Sequence, residues 1–175
     1  SYNQISLIYK EIREFKKALE YQEKTLKLKE EIVGNNHHFL AISFNNISVI
    51  YQDMGELKKA LEYQEKALNL TKETLGEKHP SLASCFNNIS VLYQDMKNLK
   101  KALEYQEKAL LLNKEIFGDK HPNLAISYSN ISLIYKDLKE CLKTKEYMEK
   151  AIDIWQQYEY YSNEIKISKN ILKDN

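Results

Sequence analysis

Shifting the sequence by 42 positions brings Gly34, Gly76 and Gly118 into register, and with them His37, His79 and His121. Residues 34–75 and 76–117 are identical at 29 of their 42 positions. The segment YNQISLIY at 2–9 answers FNNISVIY at 44–51, and YSNISLIY at 128–135 answers both. Four copies are visible, the first beginning in the middle of its own helix. A period of this length is the mark of a stacked repeat architecture, in which each copy buries its apolar side against its neighbours.

Each copy holds two apolar-periodic segments parted by a short polar joint, as in 40–54, then Gly55-Glu56, then 57–75. Only four Gly and two Pro stand beside thirteen Tyr in 175 residues, too few turn formers for a hairpin-rich β fold. The spacing therefore predicts a pair of helices per copy. In the second helix Leu57, Ala60, Leu61, Gln64, Ala67, Leu68 and Leu70 recur at intervals of 3, 4 and 7, while Lys58, Lys59, Glu62 and Lys66 face water. Glu20/Lys24, Glu62/Lys66, Glu104/Lys108 and Glu146/Lys150 stand four apart with the acid first, the stabilising order on a solvated helix face.

The joints between copies read Gly34-Asn-Asn-His-His38, Gly76-Glu-Lys-His-Pro80 and Gly118-Asp-Lys-His-Pro122. Glycine is expected to end one helix in the left-handed conformation, and proline to open the next where an amide has no helical partner. With His38 in place of proline, a modestly weaker start is expected for the helix through Phe44. A hairpin of two helices cannot bury both of its apolar sides alone, so stacking is compulsory. The expected fold is all-α, a right-handed superhelical solenoid of antiparallel helix pairs with the first helices on the concave side. The repeats fall at about 1–33, 34–75, 76–117 and 118–159, and 160–175 is expected to form a capping helix.

Ser48, Tyr51, Ala60 and Ala67, recurring as Ser90, Tyr93, Ala102 and Ala109, resemble the signature of tetratricopeptide repeats. The longer period, the Gly-x-x-His-Pro joint and the Asn-Asn-Ile-Ser-x-x-Tyr helix resemble more narrowly the 42-residue repeats of kinesin light chains. The small residues allow close approach of helix axes. The last copy departs from this pattern: Thr144 and Lys145 replace Ala102 and Leu103, and Cys141 replaces Leu99, so its second helix is expected to be looser or to end the ordered array. Trp155, Tyr158, Tyr160 and Tyr161 either cap the last apolar face or mark a docking patch.

The resemblance implies a ligand groove made by successive first helices. Its Asn position holds Asn46, Asn88 and Asn130, with Gln4 in the first copy. The preceding neighbour is Asn3, Asn45, Asn87 and then Ser129. One turn on come Leu7, Val49, Val91 and Leu133, followed by Lys10, Gln52, Gln94 and Lys136, and by Glu11, Asp53, Asp95 and Asp137. A carboxamide both donates and accepts, so a ladder of Asn can hydrogen-bond the backbone of an extended peptide whatever its sequence, or simply bond its own neighbours. Only two bases stand in this set, which disfavours a terminal carboxylate as ligand, whereas Asp53 and Asp95 would complement a basic stretch.

The histidines of the joints are one copy apart, too far to share a zinc ion, and neither cysteine has a histidine partner. Cys85, aligned with Ser43 and Ser127, is expected to be a small buried filler. No phosphate loop, nucleophile elbow or zinc-protease motif is present. Catalysis, metals and cofactors are therefore not expected. Lys58-Lys59 and Lys100-Lys101 lie near Tyr63 and Tyr105, but Glu62, Glu65, Glu104 and Glu107 cancel the field a nucleic acid would need, and the net charge is only +1. No apolar run long enough to span a membrane occurs, and the cysteines suit a reducing compartment, so a cytoplasmic location is expected. The expected role is a non-catalytic scaffold binding a protein or peptide segment. Its rival is a structural spacer or self-assembly element that associates end to end.

Overall fold

The computed structural model describes residues 1–34, 38–158 and 161–173. Among them are nine α-helices: α1 (Tyr2–Glu11), α2 (Phe15–Val33), α3 (His38–Asp53), α4 (Leu57–Leu75), α5 (Pro80–Asp95), α6 (Leu99–Phe117), α7 (Pro122–Asp137), α8 (Cys141–Trp155) and α9 (Ser162–Lys173). Odd-numbered helices from α1 to α7 are the first helices of the copies, and the even ones are the second. His37 and Tyr160 lie outside the described residues. The fold is all-α, made of antiparallel helix pairs repeated along the chain. The chain divides into two compact units, Ser1–Leu92 and Tyr93–Asn175. In the first unit α1 packs on α2, α2 on α3 and α3 on α4; in the second α6 packs on α7, α7 on α8 and α8 on α9.

A buried hydroxyl latches three of the pairs. Ser6 Oγ donates to the Ala18 carbonyl at 2.8 Å, Ser48 Oγ to the Ala60 carbonyl at 2.7 Å, and Ser132 Oγ to the Thr144 carbonyl at 2.7 Å. Such a bond requires the first helix to approach the second backbone closely, and Ala18, Ala60, Ala102 and Thr144 are each fully buried. Thr144 thus keeps the packing role of the alanines and turns its own hydroxyl back to the Glu140 carbonyl at 3.1 Å. Where looseness was expected, α8 is well packed but shorter, at 15 residues against 19 for α6. Beyond it, Trp155 joins Leu124, Ala125, Ala151 and Ile154 in a core cluster against which Tyr158, Tyr161 and Ile165 pack.

Stacked tyrosines join the helices near the turn within each pair: Tyr9 on Tyr21, Tyr51 on Tyr63, Tyr93 on Tyr105 and Tyr135 on Tyr147, with centroids 5.4–5.6 Å apart. Each stack is flanked by lysines over the rings, such as Lys59 over Tyr51 and Lys66 over Tyr63. Lys66 also meets Glu62 at 2.9 Å, and Lys24, Lys108 and Lys150 meet their acids at 2.6 Å. Of the lysines in the stripe named above, Lys59 lies over Tyr51 and Lys101 over Tyr93.

The turn inside each pair is a Schellman motif, with the Lys97 amide bonded to the Gln94 carbonyl and the Asn98 amide to the Tyr93 carbonyl. It needs a left-handed residue. Gly55 supplies it in one copy, whereas Arg13, Lys97 and Lys139 hold φ of 60°, 59° and 61° in the others. The glycines between copies behave differently from expectation. Gly34, Gly76 and Gly118 have positive φ, but ψ of 172°, 173° and 179°, so they occupy an extended region open essentially to glycine alone instead of the left-handed helical one. Their φ/ψ carries the chain straight out of the second helix toward the next copy. There His79 and His121 accept from the Ser81 and Asn123 amides through Nδ1, each at 3.2 Å, which gives the joint histidines their cap duty. His38 opens α3 at the position that Pro80 and Pro122 hold in α5 and α7.

Lys97→Gly is expected to raise stability by about 1 kcal/mol, because it removes left-handed strain, whereas Gly76→Ala should lower it by about 1–3 kcal/mol. Thermal or urea unfolding of the two variants checks both signs.

Candidate functional site

The amides of the first helices face one another across copies. Asn46 Nδ2 donates to Asn3 Oδ1 at 3.1 Å, and Asn88 Nδ2 to Asn45 Oδ1 at 2.6 Å. Each bond links residues 43 apart and uses one donor and one acceptor. The partner atoms, Oδ1 of Asn46 and Nδ2 of Asn3, keep their hydrogen-bonding capacity. Charged and amide side chains one turn further on follow the same rule. Lys10 Nζ lies 3.3 Å from an Asp53 carboxylate oxygen, and Gln94 Nε2 donates to Asp137 Oδ2 at 3.4 Å. Asp53 thus has a cation of its own, and a basic ligand would compete with Lys10 for it.

In the first unit, Asn3, Asn45, Asn46, Val49, Gln52, Asn87 and Asn88 are half-buried, and Gln4, Asp53 and Val91 are exposed. In the second unit Gln94, Asn130 and Lys136 are half-buried, and Asp95, Leu133 and Asp137 are exposed. Ser48, Ala60, Ala67, Ser90, Ala102 and Ala109, the packing set, are all buried.

Two pockets open on this face of the first unit. One is lined by Ser6, Leu7, Lys10, Gln22, Asn46, Val49 and Ile50 and has a volume of about 210 Å³. The other, of about 70 Å³, is lined by Ser48, Val49, Gln52, Gln64, Asn88, Val91 and Leu92. Every lining residue of the second lies 42 positions after its counterpart in the first. The pocket is therefore a property of the repeat, formed between consecutive first helices over a second helix.

Gln22 and Gln64 belong to these pockets, and sequence reasoning did not single them out as site residues. Each is 1% exposed, and the Nε2 of each has no hydrogen-bond partner. A buried donor in that state is costly, on the order of 1–3 kcal/mol. Their signal was visible in the sequence as an amide within an apolar stripe. At the same register the last copy carries Met148, fully buried. Gln64→Met is accordingly expected to raise stability by about 1 kcal/mol, read from the shift in urea midpoint.

Elsewhere the face between copies is filled by small polar contacts. Lys29 Nζ donates to Ser43 Oγ at 3.0 Å, Asn113 Nδ2 to Ser127 Oγ at 3.1 Å, and the Cys85 thiol lies 3.9 Å from Thr71 Oγ1. Burial lowers the pKa of Lys29 and raises that of the Cys85 thiol. Cys85 is buried and Cys141 exposed. Among the described residues no group of three or more His, Cys, Asp or Glu could hold a metal ion, and no helix is long and apolar enough to cross a membrane.

A tetratricopeptide-repeat profile matches residues 1–73, 39–110 and 86–157. The chain belongs to the tetratricopeptide-repeat family. No curated protein matches it. Among solved structures the array is similar to BtubC (BKLC) from P. vanneervenii, at 19% identity and a TM-score of 0.85 over 95% of this chain and 67% of that one. It is similar also to a Podosopora anserina protein described as a kinesin light chain with nearly identical TPR-like repeats, at 18% identity and a TM-score of 0.78, covering 98% and 82%. A signal-transduction ATPase with a tetratricopeptide repeat sensor from Pyrococcus horikoshii gives 23% identity and a TM-score of 0.78, over 95% of this chain and 25% of that one. At these identities the likeness establishes the tetratricopeptide fold.

At pH 8 a chromogenic thiol reagent should titrate Cys141 of the native array at once and reach Cys85 only on unfolding, since burial both blocks access and suppresses the thiolate. The two phases are counted in the same absorbance trace with and without denaturant.

Proposed function

We propose that the array is a non-catalytic interaction scaffold that holds an extended peptide along its first helices. Tetratricopeptide arrays generally serve protein–protein contact, and the observation that carries the reading further is the recurrence of one pocket at a 42-residue offset. A repeated pocket suits a linear ligand, which meets the same chemistry once per copy. Val49 and Val91 offer apolar walls, and the amides that already bond across copies offer their remaining atoms to a peptide backbone. The alternative, a spacer that self-associates, draws on the exposed Ile8, Ile12 and Ile32.

The reading is tested by selecting peptides from a displayed random library on the chain and mapping the bound peptide by NMR. Resonances of Val49, Val91 and the side-chain amides of Asn46 and Asn88 are expected to shift. Val91→Arg, at an exposed position, should weaken binding by about tenfold or more with unchanged melting. Selection of no peptide, or shifts confined to Ile8, Ile12 and Ile32, would reject the groove in favour of the spacer.

A further inference from the structure

The two pockets share a property that a backbone-binding groove does not need. At the floor of each lies a glutamine amide, 1% exposed, whose Nε2 has no acceptor. Met148 shows that the register accepts an apolar side chain of similar size, buried without exposure. Glutamine is thus not required there for packing, and it leaves a buried donor that a thioether would spare. An acceptor entering the pocket would relieve that cost.

The chemistry of that acceptor follows from the walls. In the second pocket Gln52 stands where the first has Lys10, and in the first the lysine is already matched by Asp53 at 3.3 Å. Neither pocket holds an unmatched cation, so a carboxylate would enter with an uncompensated charge. A neutral carboxamide fits better. Its oxygen would accept from the glutamine Nε2, and its own NH2 would reach the Oδ1 of Asn46 or Asn88, the atom that the inter-copy bond leaves unused.

Spacing adds a second constraint. Consecutive first helices touch through the Asn46–Asn3 and Asn88–Asn45 bonds, and packed helices lie about 8–10 Å apart. A polyproline-II peptide advances about 9.3 Å per three residues and returns the same face each turn. We infer that, within the proposed peptide-binding role on which this rests, the ligand is an extended peptide presenting asparagine or glutamine at every third residue, one carboxamide per pocket, hydrogen-bonded to Gln22 and Gln64.

The test uses fluorescein-labelled twelve-residue peptides with a proline-rich host sequence, measured by anisotropy against the whole chain. One carries Asn at positions i and i+3, a second Leu at both, a third Asp at both, and a fourth Asn at i and i+2. The first is expected to bind at least about tenfold more tightly than the others. Gln22→Met with Gln64→Met should abolish that preference while melting stays unchanged or rises. Equal binding of the Asn and Leu peptides, or a preference that survives both methionines, would overturn the carboxamide pockets and leave the groove standing. If library-selected peptides bind the Val49 and Val91 face but lack the three-residue carboxamide spacing, the inference fails alone. If neither library nor designed peptides bind, the groove fails with it.

Discussion

The bond from a first-helix serine to a second-helix carbonyl is the contact on which the remaining structure depends. A helical carbonyl is already engaged by an amide one turn on, so a second donor must come in from the side at short range. Ser6, Ser48 and Ser132 do so at 2.7–2.8 Å. That distance sets how close the two axes lie, forbids any large residue at Ala18 or Ala60, and brings the tyrosines near the turn into stacking range. The apolar stripe of the second helix is then committed inward and its acid and lysine face outward. The latched pairs are thus fixed by contacts between residues 12 apart in sequence.

Much of this was legible because a duplicated sequence reports its own boundaries. The position of Gly76, the spacing of Leu57, Ala60 and Gln64, and the pairing of Glu62 with Lys66 all follow from periodicity and short-range physics, and α4 spans the 57–75 segment that those patterns mark. The exceptions have a common cause. Lys97 in a left-handed turn is invisible to propensity, since only the surrounding Schellman bonds hold it there. The extended ψ of Gly76 depends on where the next helix must start. The amide bonds between copies, and the Lys10–Asp53 pair, join residues 43 apart, one more than the period, so no comparison of copies in register could reveal them.

Buried glutamine shows how the floor of a pocket can hide in a core. Gln22 and Gln64 obey the apolar spacing and are as inaccessible as the leucines around them, yet each retains a donor without a partner. Gradients of polarity along a helix locate surfaces, not the floors of pockets, and the pocket itself exists only once two consecutive first helices have been placed over a second. The face accordingly combines two kinds of amide: asparagines that knit neighbouring copies together and glutamines that wait beneath them.

The offsets of the principal contacts have a genetic consequence. The described latches span 12 residues, the contacts of Lys29, Thr71 and Asn113 span 14, and the two asparagine bonds and the Lys10–Asp53 pair span 43. Unequal crossing-over between two copies of the coding sequence deletes or inserts whole periods, and at the seam every such offset is restored, although the 14-residue contact is Lys29 with Ser43, Thr71 with Cys85 or Asn113 with Ser127 according to the copy. A gain or loss of 42 residues therefore preserves these offsets, whereas an indel of any other length inside a bonded span puts that contact out of register. Copy number, and with it the length of the array, is thus a trait that recombination can vary while the registers of these contacts are kept.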